Sequence, residues 1–341
     1  MAKSVAVRFS RASDPEGIDD ELSSLWTEAG RDSPVTRALM ANLVVVRERA
    51  APDEVDLAEP LEDVPIEEVA RRHPSRVIVL HHGGRPDLCG PVAARISVLL
   101  FGAPPARFGV EQIAVRSTCA DVSLPSIVRR LARGDLPTSI WWTGDFSEAA
   151  PVQALATVGR QFVYDSRRWR DVRRGMIALA SIVSQPDGPD LADVNWRRLT
   201  PLRQTVAQAL GQSIGRASPT HVRARVHYRP GEGALGWLLA GWLASRLEWP
   251  PSGEWPVAVQ ETRRGDEILS LTLEADPDGS LVATMTEHRI LVGYARDVAP
   301  LTIAVPHESD ADAIAAELAG LQHDRCLRET IAVLGRRFES R

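Results

Sequence analysis

Two unbroken apolar runs, Leu43-Val44-Val45-Val46 and Val77-Ile78-Val79-Leu80, constrain this chain more than any other feature. A strand with one wet face alternates apolar and polar residues, so a continuous run of this kind asks for cover on both faces. That is the situation of a central strand in a largely parallel sheet sandwiched between helices. The stretch from Pro65 to His73 can supply one helix between the two runs. Further strands are expected at Ala93 to Phe101, Gln112 to Val115, Ser139 to Thr143 and Gln161 to Tyr164. Helices are expected at Glu16 to Ala29, where Ile18, Leu22, Leu25 and Trp26 share a face and Gly30 is a stop, and at Leu124 to Ala132. The alternation predicts an α/β layered domain over residues 1–168.

The remainder reads differently. A helix from Trp169 to Val183 opens it, and Thr200-Pro201 starts another that runs to Leu210. Val222, Ala224, Val226 and Tyr228 alternate with Arg223, Arg225 and His227, as a strand with one wet face does. Leu235 to Leu247 is apolar nearly all round and reads as a buried helix. Strands at Pro256 to Glu261, Glu267 to Ala275, Ser280 to Glu287 and Ile290 to Ala295, with a turn at Pro277-Asp278-Gly279, form an antiparallel meander. Ser309 and Asp312 resemble a capping box, and a last helix spans Gln322 to Leu334. Residues 169–341 are therefore predicted to be an α+β domain. A chain of 341 residues suits two domains of ordinary size.

Composition narrows the class. The hydrophobic share of 44% and charged share of 25% belong to a soluble globular protein. Met1 to Ser10 has no apolar signal core, and the longest apolar stretch, near Trp237 to Ala244, is too short to cross a bilayer, so a cytoplasmic location without membrane contact is expected. The three cysteines, Cys89, Cys119 and Cys326, give no metal-ligand spacing and no disulfide framework. Cys89 and Cys119 could pair, although reduced buried thiols are the commoner cytosolic state. Charge is uneven within a net of −5: eight acids and no base lie between Asp53 and Glu68, and thirteen arginines face five acids between Arg160 and Arg229. The arginines could meet phosphates or an acidic protein surface, or be solvated helix faces. With an acidic total and no recognisable binding fold, nucleic acid is not expected as a partner.

Motifs with chemical potential fail on context. Gly231-Glu232-Gly233-Ala234-Leu235-Gly236 matches G-x-G-x-x-G, but the strand before it alternates with arginine, and Glu232 sets a carboxylate where a pyrophosphate would lie. Gly211-Gln212-Ser213-Ile214-Gly215 matches the nucleophile elbow, yet a helix precedes the serine where a strand is required, and His82-Gly83-Gly84 resembles an oxyanion loop only faintly. His81, His82 and Cys89 lack a second cluster to complete a metal site. Asp165 and Ser166, at the carboxyl end of a strand, stand where open sheets bind ligands, with Arg167 and Arg168 beside them; Ser166 could equally cap the next helix. No catalytic residue, metal or cofactor is expected.

Nine tryptophans against three tyrosines point to a partner instead, since tryptophan is enriched at interface hot spots. They concentrate in Leu136-Pro137-Thr138-Ser139-Ile140-Trp141-Trp142, in Asn195-Trp196-Arg197-Arg198-Leu199-Thr200-Pro201, and in the block from Leu235 to Trp249. With Ala41-Asn42-Leu43-Val44-Val45-Val46, His73-Pro74-Ser75-Arg76-Val77-Ile78-Val79-Leu80, Glu111-Gln112-Ile113, Val163-Tyr164-Asp165-Ser166 and Leu239-Ala240-Gly241-Trp242-Leu243-Ala244-Ser245-Arg246-Leu247, these segments resemble the OpcA family of glucose-6-phosphate dehydrogenase assembly proteins, in order from about residue 20 to about residue 300.

The resemblance implies a non-enzymatic protein that acts on glucose-6-phosphate dehydrogenase, promoting its active oligomer or raising its activity. Trp196, Arg197 and Arg198 are the expected contact, because an aromatic and arginines coincide there on irregular backbone. Trp141 and Trp142, the further contact candidates, are adjacent on a strand and must face opposite layers. Trp242 is expected in the core. The competing expectation is an enzyme or sensor for a sugar phosphate or nucleotide that uses Asp165, Ser166 and the arginines from Arg167 to Arg174.

Overall fold

The computed structural model describes residues 7–13, 16–48, 57, 64–82, 93–117, 124–146, 152–213, 222–250, 255–263, 265–275, 279–294, 300–320 and 323–340. Its fold is α/β, built on two sheets. The first contains β1 (Val7–Ser13), β2 (Thr36–Arg37), β3 (Ala41–Glu48), β4 (Ser75–His82), β5 (Ala93–Phe101), β6 (Phe108–Ser117), β7 (Thr138–Trp142), β8 (Gln161–Tyr164) and β9 (Asp190–Asp193). The second contains β10 (Val222–Tyr228), β11 (Val257–Glu261), β12 (Leu269–Ala275), β13 (Gly279–Met285), β14 (Arg289–Tyr294) and β15 (Leu301–Ala304). The helices are α1 (Ile18–Ala29), α2 (Ile66–Arg72), α3 (Leu124–Leu131), α4 (Val152–Ala156), α5 (Val172–Val183), α6 (Val194–Arg198), α7 (Thr200–Ser213), α8 (Gly233–Arg246), α9 (Asp310–Ala319) and α10 (Arg325–Glu339).

The two apolar runs sit side by side, as their composition demands. Strands β3 and β4 pair in parallel with Leu43 opposite Val77 and Val46 opposite Leu80. The order across the first sheet is β1-β5-β6-β4-β3-β7-β8-β9, with β2 paired to β6; β5 is antiparallel to both its neighbours, β1 and β6, and every other pairing is parallel. Alternate residues of β3 enter opposite cores: Val44 and Val46 on one face, Leu43 and Val45 on the other. The second sheet runs β11-β10-β12-β13-β14-β15, a meander from β12 onward with β11 parallel to β10. The expected turn at Pro277-Asp278 lies outside the described residues. Among the described residues, no helix is long and apolar enough to cross a membrane.

The tryptophan pair behaves as its place on a strand requires. Trp142 joins the face that carries Phe146, Phe162 and Tyr164, and it stacks on Phe146 at 5.5 Å. Trp141 joins the opposite face with Val69, Ile314 and Leu318. Both are buried.

The expected division after residue 168 is crossed twice. Strand β9 extends the first sheet from beyond it, and α9, near the far end of the chain, returns to pack on α2 and to place Ala311, Ile314 and Leu318 in the first sheet's core. The reason is geometric: the face of β3, β4, β7 and β8 that bears Leu43, Val79, Trp141 and Val163 needs more cover than the short α2 provides. Strands β1, β9 and β15 and the short α6 were not legible, because each is short or polar and lacks a sustained period. Ser309 caps α9 as expected, accepting from the Asp312 N–H at 3.1 Å.

Helix α10 is wedged between α5, which covers the first sheet, and α8, which covers the second. It fits because glycine stands at both crossings. A Cβ on Gly335 would collide with the Ala180 methyl of α5, and a Cβ on Gly241 of α8 would meet Leu334 Cγ at 2.6 Å. Gly335→Ala is expected to cost about 1–3 kcal/mol by overpacking, read as a lower denaturant midpoint. An unchanged midpoint would show that the wedge tolerates separation.

Candidate functional site

Strands β7, β8 and β9 run parallel and end together, so the residues that follow them converge at one end of the layer, where open α/β sheets hold ligands. A small cavity of about 30 Å³ lies there, lined by Trp141, Thr143, Asp165, Arg167, Arg168 and Asp310 among others. Beside it a groove of about 1110 Å³ runs from Arg72 and Arg167 past Arg197 and Arg198 to Glu232 and Glu287. The groove lies between the carboxyl end of the first sheet and the second sheet, with residues from Val305 to Ala313 along it.

The polar residues here are turned on one another. Arg167 Nε donates to both carboxylate oxygens of Asp165 at 2.9 Å, and its Nη2 donates to Asp165 at 2.6 Å and to Asp310 at 2.8 Å. Burial opposes the charge on this guanidinium, but the hydrogen bonds and charges of Asp165 and Asp310 outweigh burial and hold it above the ordinary arginine range. Arg168 is half exposed, with its Nε 4.0 Å from Asp165. Ser166 does not cap the next helix. Residues 169–171 separate α5 from the turn at 166–168, and Asp171 caps the helix by accepting from the Arg174 N–H at 3.0 Å. Ser166 is buried instead, its N–H donating to Asp193 at 3.1 Å and its Oγ accepting from Asn195 Nδ2 at 3.0 Å. It has no free hydroxyl face for a ligand.

The segment that bears Trp196 is helical rather than irregular. Asp193, the last residue of β9, accepts from the Asn195 N–H at 2.9 Å and caps α6. This turns the Trp196 indole inward, where it is 4% exposed. Its Nε1 donates to Asp324 Oδ2 at 2.7 Å, and the Arg203 guanidinium lies 3.6 Å from its ring centroid. Asp324 in turn caps α10, accepting from the Leu327 N–H at 2.9 Å. Trp196 therefore ties α6, α7 and α10 together, and the surface role expected of its ring is not open to it in this fold. Arg197 remains on the rim, 36% exposed, paired with Glu308 at 2.8 Å and Glu317 at 3.2 Å. Arg198 donates to Glu232 at 2.9 Å and to Asn195 at 2.9 Å.

These pairs also explain the glycine-rich motif. Glu232 is the N-cap residue of α8, and although burial opposes its charge, Arg198 and Arg229 hold its carboxylate below the usual range; it is turned to those arginines and makes no hydrogen bond to the helix's own N–H groups. Gly236 is required by Tyr228, whose ring a Cβ would meet at 2.7 Å. The elbow-like motif has no elbow: α7 continues through Ser213, and Ile214 and Gly215 lie outside the described residues. Cys89 and Cys119 also lie outside them, Cys326 is a free thiol, and no metal-binding group of three or more His, Cys, Asp or Glu occurs among the described residues. The sequence reading missed Asp193, Glu308, Glu317 and Asp324, and it named Glu232 without its arginine partners. The spacing Asp193-Val194-Asn195 was a usable cap signal, but the partners of the arginines are too distant in sequence to be paired by inspection.

Two sequence families match the chain in tandem. Residues 66–181 match the glucose-6-phosphate dehydrogenase subunit N-terminal domain, and residues 189–331 match the corresponding C-terminal domain. A putative OxPP cycle protein OpcA from Nostoc punctiforme is 30% identical over 197 residues, which is 54% of this chain and 40% of that protein. The protein of the same description from Synechococcus elongatus is 25% identical over 226 residues, 62% of this chain and 49% of its own length. The chain thus spans less than half the length of the curated relatives it matches. Among solved structures, the 3-ketoreductase KijD10 from Actinomadura kijaniata superposes with a TM-score of 0.46 and 12% identity, covering 88% of this chain and 96% of that one. That likeness is too loose to carry chemistry across.

Asp193 gives the strand ends a titration signature. It is buried, and desolvation together with the charge of Asp165 pushes its pKa up to about 7 against the lowering effect of the Ser166 and Asn195 hydrogen bonds. The folded chain therefore keeps a proton that the unfolded chain releases between pH 3.8 and about 7. Stability should fall across that window by up to about 1.4 kcal/mol per pH unit, and level off above it. In Asp193→Asn this contribution is expected to vanish, so the variant gains on the parent as pH rises from 5 to 8 in urea melts. Parallel pH profiles for the two proteins would refute the assignment.

Proposed function

The chain belongs to the OpcA family, and from that premise we propose that it is a non-catalytic assembly factor and allosteric activator of glucose-6-phosphate dehydrogenase in the oxidative pentose phosphate pathway. The observation that carries this reading is the tandem match, in which two domains described as parts of the dehydrogenase subunit lie in order along one chain. The site supports it. The acids and arginines at the strand ends that could have served an enzyme are engaged with one another, and Ser166 is buried behind them.

The mechanism is linkage. A protein that binds the active oligomer more tightly than the inactive form shifts the population toward the active one by the difference in affinity. Arg197 is the contact we assign, at the rim of the groove between the two sheets. Its pair with Glu308 is half exposed, and an exposed ion pair is worth only about 0–1 kcal/mol, so the guanidinium can exchange that partner for an acid on the dehydrogenase at little cost. Trp196 acts behind it by fixing the helix that presents Arg197. Trp141 and Trp142 belong to the framework.

The test is to assay the dehydrogenase of the same cell with and without equimolar chain, measuring activity, oligomer size and substrate affinity together. All three unchanged would overturn the proposal. Arg197→Ala is expected to raise the amount of chain needed for half-maximal effect about tenfold, the loss of one rim-to-centre contact. Trp196→Ala is unsuitable, because it would unstitch three helices.

A further inference from the structure

At the amino ends of the same parallel strands, away from the groove, a second pocket of about 420 Å³ opens between α1 and the first sheet. Four arginines line it: Arg37 from β2, Arg76 from β4, Arg130 from α3 and Arg133 from the loop before β7. Among the described residues, the acids in the lining are Asp19 and Glu111. Four guanidinium groups against two carboxylates leave two positive charges in one concavity of a chain whose net charge is −5.

The pocket is built rather than accidental. Arg76 is 3% exposed and donates to Asp19 at 2.6 Å, and Glu111 is fully buried. One oxygen of Glu111 accepts from Trp26 Nε1 at 2.8 Å and pairs with Arg37. The other oxygen lies 3.5 Å from Arg76 Nε, and neither of these two atoms has a hydrogen-bond partner. A buried donor and a buried acceptor left open side by side are rare, because each costs free energy until a partner arrives. The rim is held in advance. Asn42, fully buried, donates from Nδ2 to the carbonyls of Arg133 at 2.9 Å and Leu136 at 3.1 Å, and accepts from the Arg133 N–H at 2.8 Å. This fixes the loop that brings Arg133 to the mouth. Arg133 has only a loose, exposed contact with Asp135 at 3.5 Å, and Arg130 has no ion pair among the described residues.

We propose that this pocket binds a small phosphate monoester, with Arg130 and Arg133 on the phosphate, Arg76 as the buried anchor, and Glu111 and Asp19 accepting from hydroxyl groups of the organic part. Guanidinium forks match phosphate oxygens in pairs, and two net positive charges match its dianion. The volume suits a small molecule and is too narrow for a protein segment with its own fold. The site is separate from the groove and does not rest on the dehydrogenase reading.

The experiment is calorimetric titration of the full chain alone with inorganic phosphate and with glycerol 3-phosphate, at ionic strength held constant with sodium chloride. A single saturable site for both is expected, tighter for the ester. The double variant Arg130→Ala/Arg133→Ala, which changes only exposed side chains, should weaken it at least about tenfold with an unchanged melting curve, while Arg168→Ala at the other end of the strands should leave it intact. No saturable binding of either anion would overturn the proposal and leave an acidic protein surface as the occupant. Equal affinity in the double variant, or equal loss in Arg168→Ala, would also overturn it, since either would mean diffuse charge rather than a site. Binding of inorganic phosphate without the ester would overturn the assignment of an organic ligand.

Discussion

The contact on which the rest of this structure depends is the wedge of α10 between α5 and α8. Each sheet has one face that only a helix can cover, and the helices that do so would otherwise present their own backs to water. Helix α10 fills both backs at once, with Leu334 against Gly241 and Gly335 against Ala180. One continuous apolar cluster results, running from Val44 and Ile78 in the first sheet through Leu179 and Leu334 to Leu271 and Val292 in the second. The end of α10 is anchored by Asp324, which also holds the Trp196 indole, so the same carboxylate that starts the wedge helix fixes the segment carrying Arg197.

That coupling gives the carboxyl ends of the parallel strands their character. In many open sheets this location is left polar and unsatisfied for a ligand to complete. Here Arg167 closes on Asp165 and Asp310, Arg198 closes on Glu232, and Ser166 is enclosed by Asp193 and Asn195. The arrangement is that of a joint between layers: the ion pairs link β8 to α9 and α6 to α8, across the same line where the two sheets meet. The opposite end of the strands shows the reverse balance, with Arg76 and Glu111 holding open valences inside a basic pocket.

Much of the fold was legible because it rests on local period and on burial of both faces. The runs at Leu43 and Val77, the amphipathic α1, the alternating β10 and the all-apolar α8 each declare their environment in a few consecutive residues. The opposite orientations of Trp141 and Trp142 followed from strand geometry alone. What was not legible depends on partners far away in sequence. Trp196 reads as a surface anchor until Asp324 and Arg203 are seen around it. Ser166 reads as a cap until Asp193 claims it. Arg76 and Glu111 stood in segments that announced the family, yet their meeting in one pocket is a product of sheet order, which brings β6 beside β4 although β5 lies between them along the chain.

The return of α9 to the first sheet has a consequence for how the protein comes into being. During synthesis, β3, β4, β7 and β8 leave the ribosome long before Ala311, Ile314 and Leu318, so one face of the central sheet waits with Leu43, Val79 and Trp141 only partly covered by α2 until α9 emerges. Domains usually fold as units while the chain emerges, and exposed apolar sheet is the surface most prone to aggregate. A nascent chain of this kind depends on α9 to finish a sheet laid down long before it, which makes the interval between those two events the period in which a holding chaperone has something to hold.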